Sequence, residues 1–267
     1  MTAGSPVAAA FERRAQRADL LAPQAQTAGA VLVFAAGLYR AQARLAATLE
    51  ARHARQPLTG RLDEDVTLLV ETSQELLHFV AENGPPGLAH AARDRSTDEA
   101  GSTVGTDLAR FWDGRAATPD YLSRALLRPY VEVLASLRIR PDRAPRQRHC
   151  PFCGGAPWIA ARRAVAEADG EARFLGCSLC GGEWPLARVR CASCEEEHPE
   201  RLPSFRSDPY PAVRIEACET CRRYVKSIDL TVDGNGIPEV DDLASLGMDL
   251  WAASQGFARI EAGLAGI

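Results

Sequence analysis

The chain has 267 residues, 46% of them hydrophobic, and a formal net charge of −4. The length allows one large domain or two smaller ones, and the charge leaves no global basic field to collect nucleic acid or anionic lipid. Met1 to Phe11 lacks the pattern of a secretory signal, and the longest apolar-rich stretch, Ala28 to Leu38, is too short and glycine-broken to span a bilayer. The expectation is a soluble, cytoplasmic protein without membrane insertion.

Residues 1–145 read as helical. Ala8 to Leu21 is a first helix and Gln26 to His53 a second, proline-free and rich in Ala, Leu, Gln and Arg. Val31, Phe34, Leu38, Ala41 and Leu45 recur at helical spacing and predict one buried face. Gln56 to Gly60 stops that helix. Asp63 to Glu82 is predicted as one helix with Leu68, Leu69, Leu76, Leu77 and Phe79 inward, ended by Asn83-Gly84-Pro85-Pro86-Gly87. Arg93 to Gly105 reads as a loop and Asp107 to Trp112 as a short helix. Thr118-Pro119-Asp120 starts another, with threonine as N-cap, which runs past Leu126, Val131 and Leu134 to near Arg138. Pro129 is expected to kink or break it. Arg140 to Arg148, with two prolines and four arginines, reads as an exposed basic linker.

All eight cysteines follow, as four Cys-x-x-Cys pairs: Cys150/Cys153, Cys177/Cys180, Cys191/Cys194 and Cys218/Cys221. The second four repeat the first at an offset of 41 residues, an internal duplication with the cysteines as its fixed points. Each half supplies four thiolates, enough for one tetrahedral metal. In a reducing compartment this spacing favours metal over disulfides. A duplicated unit carries its own ligand set, so adjacent pairs (first with second, third with fourth) are expected to share a metal, against an interleaved alternative. The residue after each pair must turn sharply. Gly154 and Gly181 do this freely, whereas Glu195 and Arg222 imply strained or differently bent turns.

Around the cysteines, Ile159 to Glu167 and Arg173 to Leu175 read as strands flanking an Asp169-Gly170 turn. Ser204 to Pro211 reads as a loop, Ala212 to Glu216 as a strand, and Tyr224 to Val232 as a strand ending at Asp233-Gly234-Asn235-Gly236. A final helix is expected from Leu243 to about Gln255, capped by Asp241 or Asp242, with Leu243, Leu246, Leu250 and Trp251 on its inner face.

Composition does not separate iron from zinc at four thiolates, and an iron–sulfur cluster is a third reading. A zinc-ribbon adaptor for nucleic acid or protein is one alternative function. However, Cys150 to Lys226 holds 11 basic against 11 acidic residues, so it lacks the basic stripe nucleic acid needs. A dithiol oxidoreductase is another, poorly matched by a turn-and-strand context. No Ser/His/Asp set, phosphate loop or pair of carboxylates stands out in the sequence pattern, so no catalytic residue is assigned. Trp158, Trp184 and Tyr224 are read as packing groups, and Lys226, the sole lysine, as a surface residue or a counter-charge to the thiolates. Arg162-Arg163 and Arg222-Arg223 are read as solvent-facing. His149 and His198, near the pairs, are left unassigned.

The neighbours of the cysteines resemble the formate dehydrogenase accessory protein FdhE family. The resemblance rests on His149-Cys150-Pro151-Phe152-Cys153-Gly154-Gly155-Ala156-Pro157, on Cys177-Ser178-Leu179-Cys180 with Glu183-Trp184, and on Arg190-Cys191-Ala192-Ser193-Cys194. It extends through Cys218-Glu219-Thr220-Cys221 with Tyr224 and Lys226, and through Val240-Asp241-Asp242-Leu243-Ala244-Ser245-Leu246 with Asp249-Leu250. The resemblance implies an α+β protein with a helical N-terminal domain, then two tandem rubredoxin-like (zinc-ribbon-like) metal modules of four cysteines each and a C-terminal helix. The corresponding bounds are 1–145, 146–188, 189–230 and 231–267. It further implies two iron ions (Fe2+/Fe3+), with zinc as the alternative occupant, held by Cys150, Cys153, Cys177 and Cys180 and by Cys191, Cys194, Cys218 and Cys221. The implied role is a cytoplasmic maturation factor or chaperone, not an enzyme, that binds the immature catalytic subunit of formate dehydrogenase.

Overall fold

The computed structural model describes residues 5–97, 101–116, 120–165 and 171–266. The Asp169-Gly170 turn and Thr118-Pro119 lie outside them. Two compact units are present: Met1–Asp19, Val33–Pro145 and Phe152–Gly154 form one, and Leu20–Leu32, Arg146–Pro151 and Gly155–Ile267 the other.

The first unit is built from helices, although residues 20–21 at the end of the first helix and 29–32 at the start of the second fall in the other unit. The helices are α1 (Pro6–Leu21), α2 (Gly29–His53), α3 (Leu62–Thr72), α4 (Gln74–Asn83), α5 (Pro86–Ser96), α6 (Ser102–Trp112) and α7 (Tyr121–Ser136). In α2, Leu38, Ala41 and Leu45 are buried as their spacing requires, but so are Tyr39, Gln42, Ala46 and Leu49, so the helix is enclosed on more than one face. Phe34 is only half-buried and stacks on Phe79 at 5.8 Å. Gly37 permits that contact, since a Cβ there would stand 2.3 Å from the Phe79 ring.

Three expectations about these helices are corrected. The helix over Asp63 to Glu82 is two, α3 and α4, separated at Ser73. No glycine or proline marks the break. The Thr72 hydroxyl donates to the Leu68 carbonyl at 2.7 Å and Ser73 to that of Val70 at 2.8 Å, bonds by which Ser and Thr compete with the helical ladder. The loop over Arg93 to Gly105 is instead the end of α5 and the start of α6, with 98–100 outside the described residues. Pro85-Pro86 does stop α4, but Pro86 also occupies the first turn of α5, where its missing N–H costs nothing. Finally, α7 continues through Pro129. Proline deprives the carbonyl four residues earlier of its partner, and Gln42 supplies one, donating from Nε2 to the Ala125 carbonyl at 2.8 Å. Asp120 is the N-cap of α7, accepting from the Ser123 N–H at 3.0 Å.

The second unit is organised on one sheet. Its strands are β1 (Pro157–Ala164), β2 (Glu171–Cys177), β3 (Glu183–Pro185), β4 (Ser204–Arg206), β5 (Val213–Ala217), β6 (Arg223–Asp229) and the short β7 (Ala258–Arg259). Spatial order is β3-β2-β1-β6-β5-β4, with β7 on β6. Under the 41-residue offset β1 corresponds to β4, β2 to β5 and β3 to β6. Each cysteine module is therefore an antiparallel meander, and the two follow one another along the sheet in the same sense. The parallel β1–β6 pairing, Ile159 beside Lys226 through Arg162 beside Asp229, welds them. Both outer strands, β3 and β4, are three residues long, which limits the exposed sheet edge. Ser204 to Pro211 is thus not wholly loop, because its first three residues are the shortened copy of β1.

The C-terminal helix is likewise two, α8 (Pro238–Ala244) and α9 (Leu246–Ser254). Asp241 caps α8 from inside it, accepting the Ile237 N–H at 2.7 Å. Asp242 is buried and caps nothing. The inner face of α9 is Met248, Asp249 and Ala252, while Leu250 and Trp251 are 52% and 39% exposed. What overrides the apolar pattern is Lys226, which is fully buried on β6 and neither a surface residue nor a thiolate partner. Its Nζ donates to Asp249 Oδ2 at 2.5 Å, the Asp242 carbonyl at 2.6 Å and Ser245 Oγ at 3.1 Å. Arg259 pairs with the same two aspartates at 2.9 and 3.2 Å, and Tyr224 donates to Asp249 at 2.8 Å. Two cations and two anions thus tie α8 and α9 to the sheet. Despite strong desolvation, Arg259 and Lys226 hold the Asp242 carboxyl below its ordinary value, whereas burial raises that of Asp249.

Candidate metal centres

The eight cysteines form two groups, Cys150 with Cys153, Cys177 and Cys180, and Cys191 with Cys194, Cys218 and Cys221. Adjacent pairs come together and the interleaved alternative is excluded. Within each group all four sulfurs lie within 4.8 Å of one another. The Cys150–Cys180, Cys191–Cys221 and Cys194–Cys218 sulfur separations are 3.6, 3.8 and 3.6 Å. A tetrahedron with metal–sulfur bonds of about 2.3 Å has sulfur–sulfur edges of about 3.8 Å. The residues therefore fit a tetrahedral thiophilic ion, and the separations are far too long for disulfides.

The Cys177/Cys180 and Cys191/Cys194 pairs sit in tight turns whose amides face the sulfurs. Leu179 and Cys180 donate to Cys177 Sγ at 3.3 and 3.4 Å, and Gly182 donates to Cys180 Sγ at 3.4 Å. Ser193 and Cys194 repeat the first two of these at Cys191, at 3.3 and 3.5 Å. Such donors favour the thiolate that a metal requires. The turns end in the left-handed region in all four cases: Gly154 at φ 67°, Gly181 at 65°, Glu195 at 65° and Arg222 at 57°. The two sites are therefore bent alike, and the second carries strain that the first avoids.

The second site has compensating contacts with no sequence signature. Glu196 accepts from the amides of Glu197 and His198, each at 3.0 Å, and from the Thr220 hydroxyl at 2.5 Å, linking its two turns. In a Glu195-Glu196-Glu197 run the middle residue has the sequence signature of solvated charge. Arg222 lies over the Phe257 ring at 3.9 Å and donates to the Gln255 carbonyl at 2.6 Å. Burial pushes the Cys191 thiol up to about 12. At Cys218 burial acts in the same direction, but amide donation from Cys221 and the Cys194 thiol outweigh it and the group lies below its ordinary value.

Trp184 and Trp158 are packing groups, as expected. Trp184 lies against Ala160, Leu175, Ala192 and Val225, and Trp158 is in the core with Ile159, Ile215 and Tyr224. His149 and His198 belong to neither sulfur group. Arg162 departs from expectation: it is not solvent-facing but pairs with Glu216 at 2.7 Å, its side chain 12% exposed.

Residues 149–188 match the family model described as FdhE, central domain, and residues 189–264 that described as FdhE, C-terminal domain. A relative from Pseudomonas putida named Protein FdhE homolog is 32% identical over 279 residues, covering 96% of this chain and 86% of its own length. The chain belongs to the FdhE family. Protein FdhE of Salmonella paratyphi A agrees at 30% identity, covering 93% of this chain and 85% of the relative. The Protein FdhE homolog of Aquifex aeolicus is 37% identical, but the match spans only 40% of its length, as it spans 37% of a relative from Pseudomonas aeruginosa. The crystal structure of the FdhE protein from Pseudomonas aeruginosa has the same fold, with a TM-score of 0.68 over 97% of this chain and 96% of that one, at 24% identity. The α+β class, with N-terminal helices followed by two four-cysteine groups in the sheet region, is thereby shown. Among the described residues, no helix is long and apolar enough to cross a membrane.

Proposed function

We propose that the chain is an accessory protein, not an enzyme, required to produce active formate dehydrogenase, and that it binds the immature catalytic subunit in the cytoplasm. Membership of the FdhE family supports the accessory role. Each sulfur group holds one iron ion, with zinc as the alternative occupant. The observation carrying this reading is the duplicated four-sulfur geometry with its amide donors. When bound, iron supplies cross-linking of each module and a one-electron change between Fe2+ and Fe3+. The protein's part is to hold four thiolates at tetrahedral spacing and to donate hydrogen bonds to them, which sets their charge.

Deleting the gene and restoring it on a plasmid tests the role. Formate dehydrogenase activity and the yield of mature catalytic subunit should fall on deletion and return on complementation. Unchanged activity and yield in the deletion strain would sink the proposal. Capture of the catalytic subunit by tagged protein in formate dehydrogenase-producing cells tests the partner, with failure to capture it at any stage of synthesis as the opposing result.

A further inference from the structure

Beside the second sulfur group lies a cavity of about 80 Å³ with an unusual charge content. Arg162 from β1, Arg173 from β2, Arg188 and Arg190 from the segment after β3, and Arg223 from β6 all line it, and Glu216 of β5 is its carboxylate. Glu216 is already engaged twice, by Arg162 at 2.7 Å and by Arg173 Nε at 2.7 Å. Arg190 pairs with Glu197 at the rim. The remaining cations are under-used. The Arg173 side chain is only 3% exposed. Its Nη1 donates to the carbonyls of Ala187 and Arg190 at 3.2 and 2.8 Å, and its buried Nε, although 2.7 Å from Glu216 Oε2, makes no hydrogen bond among the described residues. Among the described residues, Arg188 makes no ion pair, and Arg223 reaches only the carbonyls of Arg259 and Ile260, at 3.3 Å each. Leu202, Val225 and Ile260 wall the space, lowering the local dielectric and strengthening each charge interaction inside.

We propose that this pocket binds one small tetrahedral oxyanion of the phosphate or sulfate class. Guanidinium groups arriving from three strands and a loop present convergent N–H forks, the geometry that matches several oxygens on one centre. The volume admits a few heavy atoms and excludes a nucleotide or a peptide. Cys191 and Cys218 also border the cavity, so the arginines lie close to the thiolates. Offsetting thiolate charge alone, however, requires neither a cavity nor five guanidinium groups around it.

The test uses the full-length, metal-loaded protein and inorganic phosphate in chloride buffer at fixed ionic strength and pH. Phosphate binding is followed by 31P line broadening and by calorimetry. One saturable phosphate per chain is expected. Arg188 and Arg223 are exposed, so an Arg188→Gln/Arg223→Gln variant should keep its fold and metal, checked by circular dichroism and metal analysis, and bind phosphate about tenfold or more weakly. Comparing the two proteins also removes the general stabilising effect of phosphate on folded chains. Absence of saturable binding overturns the proposal, and so does equal affinity in the folded double variant.

Discussion

Replacing Lys226 by methionine is the most revealing single perturbation of the sheet unit. Methionine matches the lysine stem in length, so little cavity forms. What disappears is an ammonium that meets Asp249 Oδ2 at 2.5 Å, the Asp242 carbonyl at 2.6 Å and Asp242 Oδ1 at 3.1 Å. Arg259 is then left with two buried carboxylates. Removing one partner of a buried charge set costs about 3–5 kcal/mol, most of it from the uncompensated charge. Lys226→Met/Asp249→Asn restores neutrality and keeps an acceptor for the Tyr224 hydroxyl, so it should recover about 1–3 kcal/mol of that loss. Burial already raises the Asp249 carboxyl. Without the ammonium it binds a proton still more readily in the folded than in the unfolded state, so folding gains stability as pH falls. The Lys226→Met deficit should therefore shrink from pH 7 toward about pH 5. Hydrogen exchange of the β6 amides reads the loss locally. Protection of β6 in Lys226→Met equal to that of the parent, or a double variant no better than the single one, would refute a structural role for this buried charge set.

Four further substitutions have defined outcomes. Glu195 is exposed at φ 65°, so Glu195→Gly should raise stability by about 1 kcal/mol by relieving left-handed strain, measured by thermal unfolding at full metal occupancy. Gly154→Ala and Gly181→Ala reverse this at φ 67° and 65°, and each should cost about 1–2 kcal/mol and speed metal loss to a chelator. Gln42→Leu orphans the Ala125 carbonyl that Pro129 already leaves without a helical donor, and should cost about 1–3 kcal/mol in denaturant unfolding of the helical unit.

The metal centres are legible in the sequence because their chemistry is local. Cys-x-x-Cys fixes the turn, and the 41-residue offset assigns Cys150 with Cys180 and Cys191 with Cys221. Helix α2 is legible from the spacing of Leu38, Ala41 and Leu45. Several of the misses share a cause, partners distant in sequence, whereas the break between α3 and α4 is local to Thr72 and Ser73. Lys226 reads as superficial because the groups that neutralise it, Asp242 and Asp249, come from α8 and α9. Leu250 and Trp251 read as inward because Asp249 does not resemble a core residue. Pro129 reads as a break because Gln42, its remedy, lies on another helix. Even the repeat conceals something, since β4 is a three-residue remnant of β1 with two prolines just beyond it. The order of the modules along one sheet depends on the β1–β6 pairing, which leaves no mark in either strand.

The two sulfur groups are proposed to be independent iron sites within one accessory protein. Anaerobic purification followed by metal analysis and a visible spectrum, taken before and after oxidation, tests this directly on the parent, Cys177→Ser and Cys218→Ser. Two irons per parent chain are expected, with a ferric–thiolate absorption after oxidation and one iron retained in each variant. Two colourless zinc ions would contradict the iron assignment. Loss of both metals from either single variant, or of neither, would contradict the division into two sites.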